Sequence, residues 1–100
     1  MDNVGSTALY CAASYGKDAV ATQLLQAKAN PNAADNDGDT PLNRAAANGR
    51  AAVVNVLLQA KANPAAVNKD GKTPAQYAKQ RGHTELAARL RQAASGAASQ

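Results

Sequence analysis

The sequence has no tryptophan, no phenylalanine and only three tyrosines, so it lacks most of the large aromatic side chains that fill protein cores. A core must therefore be built from Leu, Val, Ala and the Tyr rings. No apolar run approaches the ~18 residues that a membrane-spanning helix needs, and the first residues do not read as a signal peptide. We therefore expect a chain that does not enter membranes and resides in the cytoplasm or nucleus.

The sequence also has a single cysteine, Cys11, and a single histidine, His83. One cysteine excludes an internal disulfide and fits a reducing compartment, and the two residues together cannot supply the ligands of a zinc site. We interpret Cys11 as a packing residue, since a nucleophile needs an oriented base, and we expect His83 to bond locally at a turn. No phosphate-binding glycine loop is present. The sequence predicts no cofactor and no enzymatic activity.

Acidic residues are few, and three of them lie close together as Asp35, Asp37 and Asp39. A calcium loop of the EF-hand type would place Gly after the third acidic ligand and Glu at its end, whereas Gly38 precedes Asp39 and Ala46 occupies the Glu position. The pattern favours a turn over a metal site.

Basic residues give the 100-residue chain a net charge of +4, and they are concentrated in its last third. The basic positions there include Lys69, Lys72, Lys79, Arg81, Arg89 and Arg91. They lack the interleaved aromatics of single-strand binders, and the acidic turn would face the same partner, which disfavours a nucleic-acid ligand.

One pattern recurs along the chain with a period of 33 residues. The recurring positions are Gly5, Gly38 and Gly71; Gly16, Gly49 and Gly82; Thr7, Thr40 and Thr73; Ala12, Ala45 and Ala78; and Leu24, Leu57 and Leu90. A fixed period of this length indicates a solenoid of stacked units.

The middle copy, residues 35–67, shows the shape of one unit. Asp37-Gly38 favours a tight turn, and Thr40-Pro41 can cap and begin a short helix that runs to Asn48. Gly49 suits the left-handed residue after that helix, and a second helix follows from about residue 51 to 59, with an apolar stripe of Val and Leu. Because such a pair cannot bury its apolar face alone, the copies must stack.

The frame D-x-x-G-x-T-P-L-x-x-A-A-x-x-G, followed by V-x-x-x-L-L and A-x-A-N, resembles the ankyrin repeat. The resemblance covers residues 2 to about 93 and implies an all-α solenoid of three stacked helix-turn-helix repeats joined by β-hairpin-like turns. The family's usual His after Pro-Leu is replaced by Tyr10, Asn43 and Gln76, so its hydrogen bonds between repeats must be made by other groups. Its usual Gly after the second helix is Lys28 or Lys61, and a left-handed Lys costs about 1–2 kcal/mol relative to Gly.

We predict one domain, 1–94, with repeats at 2–34, 35–67 and 68–93. Lys79 and Arg91 occupy slots that are apolar in the earlier copies, which is typical of a C-terminal capping repeat. Residues 95–100 are small, polar and uncharged, and they read as a flexible tail.

The resemblance implies a non-enzymatic protein-binding module that recognises another protein or peptide through its turns and short helices. The positions it assigns to that surface are Asn3, Val4, Ser6, Ser14, Tyr15, Asn36, Asp37, Asp39, Ala47, Asn48, Lys69, Asp70, Lys72, Gln80 and Arg81. Tyr15 and Arg81 are residue types enriched among binding hot spots. We expect the partner to place basic groups over Asp37 and Asp39 and acidic groups over the last repeat.

An alternative is self-association into a homo-oligomer through the outer face of the second helices or the open first repeat. The outward positions are small and nearly uncharged: Ala19, Thr22, Ala51, Ala52, Asn55, Ala88 and Gln92. Exposed helices usually carry Glu and Lys instead. An engineered scaffold is a further alternative, since Leu-Gln-Ala-Lys-Ala-Asn-Pro occurs in both of the first two copies.

Overall fold

The computed structural model describes the backbone of residues 3–99 and the side chains of residues 8–94. Its elements in chain order are α1 (Asn3–Tyr15), α2 (Asp18–Gln26), α3 (Pro41–Ala47), α4 (Ala51–Gln59), α5 (Pro74–Gln80) and α6 (Thr84–Ser99). Each repeat contributes an inner helix (α1, α3, α5) and an outer helix (α2, α4, α6). No helix in the described part of the chain is long and apolar enough to span a membrane.

The inner helices α3 and α5 begin as the Thr-Pro pairs predict. The Oγ1 of Thr40 accepts a hydrogen bond from the backbone N–H of Asn43 at 3.2 Å, and Pro41 occupies the first turn. Thr73 makes the same cap with Gln76, whose side chain accepts from the Thr73 N–H at 2.9 Å to complete a capping box. These bonds satisfy amides that a helix start otherwise leaves free.

The core lies between the inner and outer helices and consists of aliphatic side chains. The largest side chains with no exposed surface include Leu9, Leu42, Val53, Val54, Leu57 and Leu90. Buried alanines, among them Ala12, Ala45 and Ala78, lie between them and permit close approach of neighbouring helices. The inner helices pack side by side, as do α2 and α4, and the predicted all-α solenoid is confirmed.

The outer helices α2 and α4 are each followed, two residues after their last residue, by a lysine in the left-handed conformation that the sequence predicts. Lys28 has φ +76° and Lys61 has φ +73°. At the end of α2 the N–H of Lys28 bonds to the carbonyl of Leu25 at 3.0 Å, and the N–H of Ala29 bonds to that of Leu24 at 3.0 Å. This pair of bonds is the Schellman pattern, which normally uses Gly at the left-handed position.

Replacing Lys28 or Lys61 by Gly should therefore stabilise the fold. Removing the steric cost of a side chain at positive φ stabilises the folded state by about 1–2 kcal/mol. The greater conformational entropy of Gly in the unfolded chain offsets about half of this gain. We expect each variant to raise the free energy of unfolding by about 0.5–1 kcal/mol in urea titrations. Lys79→Gly within α5 is the control and should lower it; a loss of stability in all three variants would contradict the strain argument.

Both ends of the solenoid differ from the sequence prediction. α1 begins at Asn3, so Gly5 lies within a helix and not in a turn. The sequence explains this difference. Val4 and Ala8 occupy the positions of Asp37 and Pro41 in the second repeat, so the first repeat lacks the residues that favour a turn and set the helix start at a later position. At the other end α6 continues to Ser99, through the segment for which a flexible tail is predicted, because Ala-rich sequence favours helix.

Candidate partner-binding face

Two hairpin-like turns, the middle turn (35–39) and the last turn (68–72), precede α3 and α5. In the middle turn the N–H of Asp35 bonds to the carbonyl of Asp39 at 2.9 Å, and the N–H of Gly38 bonds to that of Asp35 at 3.0 Å. The Asp35 side chain closes the loop, since its Oδ1 accepts from the N–H groups of Asp37 and Asp39, both at 2.9 Å. The turn is thus held by its first residue, whose side chain mimics a backbone acceptor.

The last turn repeats this arrangement with Asn68 in place of Asp35. Its Oδ1 accepts from the N–H groups of Asp70 at 2.9 Å and Lys72 at 3.0 Å. The two turns are also joined directly, because the N–H of Lys69 bonds to the carbonyl of Asp37 at 3.0 Å. We call the surface made by these turns and the exposed sides of α1, α3 and α5 the inner face.

Asp39 lies beneath this face, where it connects two repeats. Its side chain is only 8 % exposed, and its Oδ1 accepts from Asn43 Nδ2 at 3.4 Å, Asn68 Nδ2 at 3.0 Å and Tyr77 Oη at 3.3 Å. The Asn68 amide also bonds to the Tyr77 hydroxyl. The expectation that Asp39 is a surface residue is therefore wrong: the turn directs its carboxylate inward, against the next repeat.

Tyr10 provides the corresponding connection between the first and second repeats. Its hydroxyl donates to Asp35 Oδ2 at 2.8 Å, so it replaces the inter-repeat bond expected of a His at that position. Burial, and to a lesser degree the hydrogen bond to Asp35, raises the pKa of Tyr10 to about 12, although the positive charge of Arg44 acts to lower it. Burial alone would raise the pKa of Asp35, but the hydrogen bonds from Asp39, Tyr10 and Asp37 and the charge of Arg44 outweigh it and hold that pKa below its usual value.

One carboxylate oxygen from each of Asp35, Asp37 and Asp39 lies within 4.8 Å of the other two. Asp35 uses both of its oxygens as hydrogen-bond acceptors within the fold, and Asp39 uses one. Their proximity follows from the turn itself, in agreement with the interpretation of this segment as a turn.

The other predicted surface residues fall into four groups: exposed, half-buried, buried and outside the described side chains. The exposed ones are Tyr15, Asn36, Asp37, Lys69, Asp70, Gln80 and Arg81; the half-buried ones are Ser14, Asn48 and Lys72. Ala47 is only 2 % exposed, so its assignment to the surface is wrong; it packs on the buried side of α3. Asn3, Val4 and Ser6 lie in α1 and not in a turn, and their side chains are outside the described residues.

A basic groove that the sequence does not predict lies between α1 and α3. From the first repeat it is lined by Tyr10, Cys11, Ser14 and Tyr15, and from the second by Arg44, Asn48 and Arg50. It encloses about 410 Å³. Arg44 lies in α3, whereas Arg50 is the N-cap residue of α4, just after Gly49. Neither belongs to the positions that the family resemblance assigns to the binding surface, and no helical spacing links them, which is why the sequence did not point to them.

A model of ankyrin repeats, in three copies, matches residues 1–68 of the chain. The chain belongs to the ankyrin repeat family. Ankyrin repeats generally serve as protein–protein interaction modules and are typically non-enzymatic. A search of curated proteins gives no significant match. Most of the third repeat lies beyond the matched residues, yet its Thr73 cap and its last turn reproduce those of the second.

Proposed function

We propose that this ankyrin repeat chain binds a segment of another protein through its inner face, without catalysis, inside the cell. The main support for the proposal is that the backbone of the turns on this face is held by hydrogen bonds while several of their side chains are exposed to solvent. The middle and last turns are fixed by their internal bonds and by the Lys69–Asp37 backbone bond, while Asn36, Asp37 and Asp70 remain exposed. A preorganised surface loses little entropy on binding.

Tyr15 is the strongest single anchor on the inner face. It ends α1, and 68 % of its surface is exposed, which is unusual for a large ring with an apolar body. Tyrosine supplies much contact area at low conformational cost and is enriched among hot spots. The exposure of this side chain supports a contact made in the complex.

Selection of displayed random peptides against the chain, followed by titration of the winners, tests the proposal. Tyr15→Ala should weaken the Kd of the selected peptides about tenfold. Gln92→Ala, an exposed change on the outer helix α6, is the matched control and should leave the Kd unchanged. Peptides that lose affinity with the α6 variant and keep it with Tyr15→Ala would place the binding surface elsewhere.

Self-association through the outer helices is a second candidate function. It is favoured by exposed apolar surface on α2, where Val20 is 45 % exposed, and by a shallow groove between α2 and α4 that Leu25 and Val56 help to line. Ala52 is also exposed and would permit close helix contact. Size exclusion with light scattering would then show a concentration-dependent dimer that Ala52→Glu dissociates, whereas a 10.2 kDa monomer at every concentration would leave the inner face as the functional surface.

A further inference from the structure

We propose that the groove between α1 and α3 receives an acidic stretch of the partner polypeptide, with carboxylate groups bound by Arg44 and Arg50. The inference rests on the proposed function above and specifies the partner's chemistry at one place on the inner face. It differs from the charge arrangement expected from sequence, which put acidic partner groups over the last repeat only.

The side chains that line the groove carry charge of one sign, although the carboxylate of Asp35 lies next to them, bonded to the Tyr10 hydroxyl. Two of its lining side chains, Arg44 and Arg50, are cationic, and none of the described residues that line it is a carboxylate. In a concave site, walls of one sign attract a ligand of the opposite sign and raise its rate of association. A segment rich in Glu or Asp is the complementary polypeptide.

Arg44 has hydrogen-bonding capacity that the fold does not use. Its Nε is buried and has no hydrogen-bond partner among the described residues. Its guanidinium carbon lies 5.8 Å from the centre of the Tyr10 ring, a distance at which cation and ring attract each other and hold the side chain in place. The buried Nε is closed to a ligand, but the two outer nitrogens of a planar guanidinium held in this way can bind a carboxylate through two parallel hydrogen bonds.

Arg50 is fixed by the first repeat. Its Nε donates to the backbone carbonyl of Ser14 at 3.3 Å, and its stem passes over Gly16, where an added Cβ would lie 2.9 Å from the Arg50 Cδ. Asn48 Nδ2 donates to the same carbonyl at 3.0 Å. The side chain of Arg50 is nevertheless exposed, so a held guanidinium meets solvent at the edge of the groove.

The remaining wall fits a peptide better than a nucleic acid. Tyr15 and Cys11 are exposed on α1 and offer apolar contact beside the two arginines. The neighbouring middle turn presents exposed Asp37, which would repel a continuous phosphate backbone. An acidic peptide can place uncharged residues there.

The lone cysteine supplies a direct reporter, because Cys11 lines the groove and is exposed. The probe is a pool of short peptides made of Glu, Tyr and Gly, compared with a matched pool in which Gln replaces Glu. We expect the Glu pool to slow the modification of Cys11 by a small maleimide about tenfold at saturation, and the Gln pool to have little effect, since bonds to charged groups are about twice as strong as neutral ones. Added salt should reduce the protection.

Arg44→Gln and Arg50→Gln should each weaken the Kd of the Glu pool about tenfold. Arg91→Gln removes the same charge from the exposed side of α6 and should leave the Kd within about twofold, the range expected for a distant surface charge. Urea titration of each variant establishes that it is folded. Arg44→Lys keeps the charge but not the planar fork, and it should recover only part of the affinity.

Three outcomes would overturn the proposal: equal protection by the Gln pool, unchanged affinity in both Arg→Gln variants, or tighter binding of a short single-stranded DNA than of the Glu pool. If selected peptides depend on Tyr15 or on Lys69 but not on Arg44 and Arg50, the acidic-segment inference fails and the proposed function stands. If no peptide contacts the inner face, both fail.

Discussion

Asp39→Ala should lower the free energy of unfolding by about 3 kcal/mol, because it leaves buried donors on two repeats without their acceptor. Asn43, Asn68 and Tyr77 all direct a hydrogen bond at the same carboxylate oxygen. Asn43 is fully buried and Asn68 is 7 % exposed, so water cannot easily replace the lost acceptor. A loss of this size is a large fraction of the stability of a small domain, and urea titration at neutral pH measures it.

Asp37→Ala is the matched control, since Asp37 stands two residues away on the same turn and is exposed. It removes the same charge and should change the unfolding free energy by less than about 0.5 kcal/mol. Asp39→Asn keeps an oxygen acceptor at the same position and should lose less than Asp39→Ala. Equal stability of the Asp39→Ala and Asp37→Ala proteins would show that the hydrogen bonds to the buried Asp39 carboxylate do not stabilise the contact between the repeats.

The sequence predicts the helices of the middle repeat well, because their signals are local. The apolar stripe and Gly49 predict α4 over residues 51–59, as observed, and Thr40-Pro41 fixes the start of α3. The left-handed conformations of Lys28 and Lys61 are likewise correct. Each of these follows from residues within one turn of the chain.

Features that depend on two repeats at once could not be predicted in the same way. Whether a turn carboxylate faces solvent or the next repeat depends on the stacked neighbour, which is why Asp37 and Asp39 seemed equivalent in sequence and are not in structure. The basic groove also depends on both repeats, since Tyr15 lines it from the first repeat and Arg44 and Arg50 line it from the second.

A third case is the side chain that follows the inter-helix glycine in the second and third repeats, after Gly49 and Gly82. Arg50 packs over Gly16 and His83 packs over Gly49, each on the preceding repeat. His83 does bond locally at its own turn, where its backbone N–H donates to the carbonyl of Ala78 at 2.8 Å, but its ring lies over Gly49 of the preceding repeat, a contact that the sequence does not predict. In a solenoid the stability of each repeat depends on such nearest-neighbour interfaces, so these glycines serve the stacking of repeats as well as the turn.

Gly49→Ala should accordingly destabilise the protein by about 3 kcal/mol, through two separable effects. The residue has φ +69°, where a side chain costs about 1–2 kcal/mol. In addition, a Cβ at Gly49 would lie 2.7 Å from His83 Cε1 and 2.9 Å from each ring nitrogen, so the ring must shift from its position against the second repeat. Gly82→Ala isolates the first effect: its φ is +85°, but nothing among the described residues lies within 4 Å of the added Cβ.

The difference between the two glycine variants measures the packing of one repeat on the next. Gly82→Ala should lose only the backbone term of about 1–2 kcal/mol, and Gly49→Ala should lose more. In the double variant with His83→Ala, the added methyl meets no ring, so the cost of Gly49→Ala should fall to that of Gly82→Ala. If the Gly49→Ala penalty is the same with and without the His83 ring, the backbone conformation accounts for all of it and the ring contributes nothing to the interface between the second and third repeats.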